Sequence, residues 1–295
     1  MSYAGDRGSS REVSSRYRLL GLDLDGTLLN EELEIEQRTA ERLTALSARG
    51  VEIILCSGRR FSAAVGYAHE LGLTGPIVVN NGTIVKEVAG ERTIYTDYFP
   101  QEHLAGLLDL LKGIGLPAVL LTDEYPDYDF CVDVAEGVNE YHTEYLDLNR
   151  EMGRVVDDLA AVRCHTVSQV NVFHAYPTLL EAEKRIREAM NGKVGTVIIQ
   201  HVKYKGCSLE MASPTASKWK ALRWIAQQRG IKPEEIVAIG DEVNDIAMVR
   251  KAGFGVAVAN ALDEVKAAAD YVTKQPHNRG VEEVIGVLFG DVEGG

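Results

Sequence analysis

Asp23 and Asp25 stand one residue apart in the run Asp23-Leu24-Asp25-Gly26-Thr27-Leu28, directly behind the apolar segment Leu19–Leu22. A carboxylate at the end of a buried strand can attack phosphorus. A second one two positions on can protonate a leaving oxygen, and Gly26 lets the chain turn sharply enough to present both. Taken alone, these residues are equally consistent with an ordinary Asp-Gly turn. A second acidic cluster shifts the balance: Gly240-Asp241-Glu242-Val243-Asn244-Asp245 follows the apolar run 236–239. Four carboxylates (Asp23, Asp25, Asp241, Asp245) gathered in one partly dehydrated cleft would repel one another and need a cation. Mg²⁺ fits, because it binds through one or two carboxylates while keeping waters and phosphate oxygens as further ligands. Glu242, between the paired acids, is expected to face elsewhere.

Two further elements supply a phosphate site. The apolar run 51–55 ends in Cys56-Ser57-Gly58-Arg59, ahead of a segment able to continue as a helix. A hydroxyl and free N–H groups at a helix start form an anion cradle, although Ser-Gly after a strand is by itself more often a turn or a cap. Lys218 opens an amphipathic segment with Trp219, Leu222 and Ile225 or Ala226 at core spacing. A lysine at a helix N-terminus opposes the helix dipole, which favours an anionic partner over a purely structural role.

In this order, DLDGTL, the strand-ending Ser57, Lys218 and GDEVND resemble the four motifs of the haloacid dehalogenase-like superfamily. The long insert between the second and third motifs and the GDxxND form of the fourth resemble its Cof-type class IIB phosphatase branch, over about residues 18 to 285. The resemblance implies a doubly wound parallel-sheet (Rossmann-like) α/β core with an inserted α/β cap domain. It also implies a Mg²⁺-dependent phosphatase acting on a small phosphorylated metabolite, a sugar phosphate or similar, through an aspartyl-phosphate. On that basis Asp23 is the nucleophile and Asp25 the general acid and base. Ser57, Gly58, Lys218 and Asn244 hold the phosphoryl group. The Asp23 carboxylate, the Asp25 carbonyl and Asp241 hold the metal, with Asp245 in support. The branch usually carries Thr where Ser57 stands, and the hydroxyl is kept. Asp25 separates phosphate-ester chemistry from dehalogenation, since halide departs without a proton whereas an alkoxide needs one.

The elements that must position these groups alternate. Strands are expected over 17–24, 51–56 and 76–79 with helices over 36–49 and 62–71 between them, and Asn80-Asn81-Gly82 is expected as a hairpin turn, with Asn81 a candidate substrate contact beside Arg59. From about residue 207 the alternation resumes with helix 218–229, strand 236–239, helix 246–252, strand 255–258 and helix 262–269, the pattern of a parallel sheet. Residues 84–204 hold their own strands and helices and read as an inserted domain, leaving 17–83 and 205–290 as core and 1–16 as a disordered extension. Within that insert Gln169 and Asn171 share one face of a strand at 165–173, as candidate contacts to substrate hydroxyls or as a solvent-facing edge.

The chain of 295 residues is long enough for two hydrophobic cores. Its 44 acidic against 31 basic residues disfavour a general nucleic-acid or membrane surface, so a phosphate must be attracted locally. Four scattered cysteines (56, 131, 164, 207) and unpaired histidines such as His165, His174 and His201 suggest neither zinc sites nor disulfides, and a cytoplasmic protein is expected. The alternatives are a phosphoacceptor signalling module or a phosphotransferase on the same type of core, and a degenerate binding protein.

Overall fold

The computed structural model describes residues 16–133, 139–162, 166–200 and 205–290. The chain first lays down β1 (Leu19–Leu22), α1 (Gln37–Ala48), β2 (Glu52–Leu55), α2 (Phe61–Glu70) and β3 (Pro76–Val79), followed by β4 (Ile84–Glu87) and β5 (Thr93–Thr96). It then builds α3 (Gln101–Gly113), β6 (Val119–Glu124), β7 (Tyr128–Val132), α4 (Glu140–Asn149), β8 (Gly153–Val155), β9 (Val167–His174), α5 (Tyr176–Met190), β10 (Gly195–Gln200) and β11 (Cys207–Ala212). The last part is α6 (Lys218–Gln228), β12 (Ile236–Gly240), α7 (Ile246–Lys251), β13 (Phe254–Ala257), α8 (Asp263–Lys266), β14 (Tyr271–Val272) and α9 (His277–Phe289).

The core sheet is parallel, in the order β14-β13-β12-β1-β2, and a parallel bridge from Cys56 to Val78 carries it on to β3. Its strands are continuous apolar runs because both faces are covered. Along β1, Leu20 and Leu22 join the cluster containing Leu43 and Leu46 of α1 and Val281 and Ile285 of α9, whereas Leu19 joins Leu222 and Ile225 of α6 on the other face. In β12 the same alternation sends Val237 and Ile239 one way and Ile236 and Ala238 the other. Strand order reverses between β12 and β1, so a crevice opens beyond their carboxyl ends. Asp23 and Asp241 follow those two strands.

The second sheet, β10-β11-β9-β6-β7-β8, is mostly antiparallel, with only β7 and β8 parallel. One face packs on α3 and α5 through Leu120, Val170, Val172, Leu209 and Met211 against Leu107, Leu179 and Ile186. The other face carries Leu121, Phe130 and Phe173, which pack with Tyr145 and Leu146 of α4.

Strand pairing moves the expected domain limits. β4 hydrogen-bonds to β3 and β5 to β4, so both extend the core side, whereas β11 pairs with β9 and β10 inside the second sheet. The chain therefore passes between the sheets at 97–100 and 213–217 rather than at 84 and 204. The extension at 1–15 lies outside the described residues, as do Cys164, His165 and His201. Cys56, Cys131 and Cys207 are buried. Among the described residues no helix is long and apolar enough to cross a membrane.

Candidate active site

Tertiary folding brings Asp23, Asp241 and Asp245 together, with one carboxylate oxygen from each within 4.8 Å of the others. Lys218 reaches them from the first turn of α6, donating to Asp23 Oδ1 at 2.5 Å and Asp245 Oδ1 at 2.7 Å while only 1% exposed. Its placement depends on the Asn80–Gly82 turn. Gly82 has φ of +89°, and a Cβ there would lie 2.2 Å from the Ser217 carbonyl, so only glycine lets the turn pack on the start of α6. Ser217 caps that helix by accepting from the Lys220 N–H at 3.1 Å.

Asp245 is committed on both oxygens, since Oδ2 accepts from the N–H groups of Asp241 and Glu242 at 3.1 and 3.2 Å. Asp241 is held through Oδ1 by the Thr27 hydroxyl at 2.6 Å. The turn carrying Asp25 is just as tight: Gly26 has φ of +77°, and a Cβ on it would meet Asp241 Oδ2 at 2.2 Å. Its carbonyl accepts from Asn260 Nδ2 at 2.8 Å and lies 3.0 Å from His277 Nδ1. Asp25 itself is gripped by Arg59, whose Nε and Nη2 meet its two oxygens at 2.8 and 2.5 Å. The same guanidinium lies 5.2 Å from the centre of the Tyr67 ring. Arg59, expected as a substrate contact, is thus engaged within the protein.

The electrostatics follow from one ammonium facing three carboxylates. Burial, and then the Asp245 charge, push the Asp23 carboxyl well above the usual range against the pull of Lys218. Burial and Asp245 likewise push Asp241 up to about 7. Burial opposes the charge on Lys218, yet Asp23 and Asp245 outweigh it and hold the ammonium above its ordinary value.

Asp23, Asp25, Asp241 and Lys218 form the floor of a cavity of about 460 Å³ between the two sheets, with Asp245 buried beneath. Gly58, Arg59 and Arg60 form one wall; Ser57 is fully buried, and its hydroxyl accepts from the Arg59 N–H at 3.0 Å. Asn81 and Asn244 both line the cavity, joined by Asn244 Nδ2 donating to Asn81 Oδ1 at 2.8 Å. The Asn80–Gly82 segment is thus a hairpin turn and part of the cavity at once. Asn171 lines the cavity, whereas Gln169 donates to the Asn80 carbonyl at 3.2 Å. Neither amide is solvent-facing, because β9 is covered on both sides. Glu242 does not face elsewhere: it lines the cavity and caps its own turn by accepting from the Val243 N–H at 2.8 Å.

Sequence reasoning passed over Thr27, Arg60 and Glu210. Glu210 had a signal, since a lone carboxylate between Leu209 and Met211 is a polar residue in a strand-like apolar run. Arg60 pairs with Asp129 at 2.9 Å across the two sheets, which no local pattern shows.

Residues 20–285 match the haloacid dehalogenase-like hydrolase family. The protein YxeH of Bacillus subtilis is 29% identical over 274 residues, covering 91% of this chain and 97% of the relative. The 5-amino-6-(5-phospho-D-ribitylamino)uracil phosphatase YitU of the same organism is 27% identical over 289 residues, covering 92% and 97%. Among solved structures, the subclass IIB sugar phosphatase BT4131 superposes with a TM-score of 0.75 at 25% identity, covering 93% of this chain and all (100%) of that one.

Proposed function

The chain belongs to the haloacid dehalogenase-like hydrolases, and on that premise we propose that it is a Mg²⁺-dependent phosphomonoesterase releasing phosphate from a small phosphorylated metabolite through an aspartyl-phosphate on Asp23. The observation that carries this reading is the convergence of Asp23, Asp241, Asp245 and Lys218 in one cluster, of which Asp23, Asp241 and Lys218 line the same cavity as Asp25. Phosphatase relatives matching almost end to end support it.

Three carboxylates against one ammonium leave an excess of negative charge on hard oxygen donors, which fits Mg²⁺. Asp23 and Asp241 would hold it; Asp245, with both oxygens taken, keeps to the scaffold. Bound there, Mg²⁺ supplies charge neutralisation for the transferring phosphoryl oxygens. The rest is the work of the chain. Lys218 holds Asp23 by Oδ1 and adds positive charge where the transition state spreads negative charge. Arg59 holds Asp25 at the cavity by both oxygens; once released from that fork and protonated, the Asp25 carboxyl gives its proton to the leaving oxygen and afterwards takes one from the attacking water. Gly58 and Asn244 line the phosphoryl side. The second sheet closes over the leaving group and excludes water.

The test is turnover with Mg²⁺ on 4-nitrophenyl phosphate and an alkyl phosphate. Asp23→Asn should abolish release on both. Asp25→Asn should lose far more on the alkyl ester, whose leaving group needs a proton. Release that stops at one phosphate per chain, or an Asp23→Asn variant keeping more than roughly a few per cent of the rate, would overturn the proposal.

A further inference from the structure

The cavity holds a carboxylate that no step above uses. Glu210 lies on β11 directly across from Asn171 on β9, and both line the cavity from the second sheet. Glu210 is 6% exposed; its Oε1 accepts from the Ser208 hydroxyl at 3.0 Å and its Oε2 from Asn81 Nδ2. Because Asn81 turns its donor edge to Glu210, its oxygen takes the amide of Asn244, and the Asn244 oxygen is left without a partner among the described residues. Asn171 is 4% exposed, and its Oδ1 also lacks a partner among them. Acceptors therefore gather at this cavity.

The cations lining the cavity among the described residues are already committed. Arg59 holds Asp25, Arg60 holds Asp129 and Asn149, and Lys218 holds Asp23 and Asp245. A leaving group that brings donors satisfies buried acceptors that are otherwise costly. One that brings a carboxylate meets like charge and, among the described residues, finds no free cation.

We propose that Glu210 and Asn171 form an acceptor subsite that selects hydroxyl-bearing leaving groups, as in polyol and sugar phosphates, and rejects those ending in a carboxylate. The subsite rests on the phosphomonoesterase reading and deepens it. Burial pushes the Glu210 carboxyl up to about 7 against the Ser208, Asn81 and Gln169 hydrogen bonds and the Lys218 charge, and donors from a ligand offset that cost. The neighbouring rings of Tyr145 and Phe173, stacked at 4.1 Å, offer an apolar surface to the carbon face of a sugar.

The experiment measures kcat/KM with Mg²⁺ for a panel of pentitol and hexose phosphates, for phosphoglycolate and for 4-nitrophenyl phosphate, in the wild type, Glu210→Gln and Asn171→Ala. The best polyol phosphate should exceed phosphoglycolate by about tenfold or more in the wild type. Glu210→Gln should shrink that ratio by about tenfold, with the polyol KM rising and phosphoglycolate gaining. Asn171→Ala reads the same ratio should Glu210→Gln fail to fold. A wild type that prefers phosphoglycolate overturns the subsite while leaving the phosphatase reading intact. So do variants that lower all substrates by one common factor, which is the mark of a structural role. No turnover of any substrate, 4-nitrophenyl phosphate included, defeats the phosphatase reading itself, and the subsite falls with it.

Discussion

Replacing Lys218 by methionine keeps most of the side-chain volume and removes the ammonium that holds both Asp23 and Asp245. Two charge-assisted hydrogen bonds worth about 1.5–3 kcal/mol each disappear, in line with the roughly 3–5 kcal/mol for breaking a buried ion pair. The folded variant has an escape, which is to bind a proton on the carboxylate pair. At pH 7 that costs about 4 kcal/mol, being about three pH units at ~1.36 kcal/mol each, so the loss is capped near that value. The sign follows from proton counts. The folded variant keeps a proton that the unfolded chain releases, so its stability falls as pH rises. The wild type also loses stability as pH rises, since it holds Asp23 and Asp241 above the usual range; relative to it the deficit should be up to about 4 kcal/mol at pH 7 and smaller at pH 5. Urea unfolding in EDTA at pH 5, 6 and 7 measures it. A deficit that stays level across those pH values, or one below about 1 kcal/mol at pH 7, would refute the reasoning that Lys218 is the principal counter-charge of this cluster.

Gly26→Ala should lower kcat by about a hundredfold and abolish the rise in melting temperature expected with Mg²⁺, because the left-handed backbone costs an L-residue about 1–2 kcal/mol and the new Cβ would meet Asp241 Oδ2; thermal scans with and without Mg²⁺ check this. For Glu210, the folded pKa of about 7 lies above the ordinary 4.5, so the wild type loses stability as pH rises through 7. Glu210→Gln is free of that loss, and should gain up to about 3 kcal/mol on the wild type between pH 5 and pH 8 by urea unfolding. A difference independent of pH would place an unstrained carboxylate at this position.

The chemistry-bearing residues were legible in the sequence because each sits where local pattern speaks. Apolar runs of strand length end in Asp23, Ser57 and Asp241, and a 3.6-residue periodicity begins at Lys218. The parallel core followed from the same alternation, since a strand buried on both faces is continuously apolar. Helix α9 and strand β4 were passed over, although Val281, Val284 and Ile285 carry the spacing of a buried helical face. What the local pattern could not carry was partnership between distant segments. β11 continues directly from the insert, yet whether it pairs with β9 or returns to the core depends on which edge its backbone hydrogen bonds reach, and both alternatives share one hydropathy pattern. For the same reason Arg59 and Asp25, 34 positions apart, and Asn81 and Glu210, 129 apart, meet only in the folded chain. Residue type and spacing determined which side chains could act on a phosphate ester. The tertiary structure decided which carboxylates stay open, because a charge removed from water takes whatever partner the packing brings within reach.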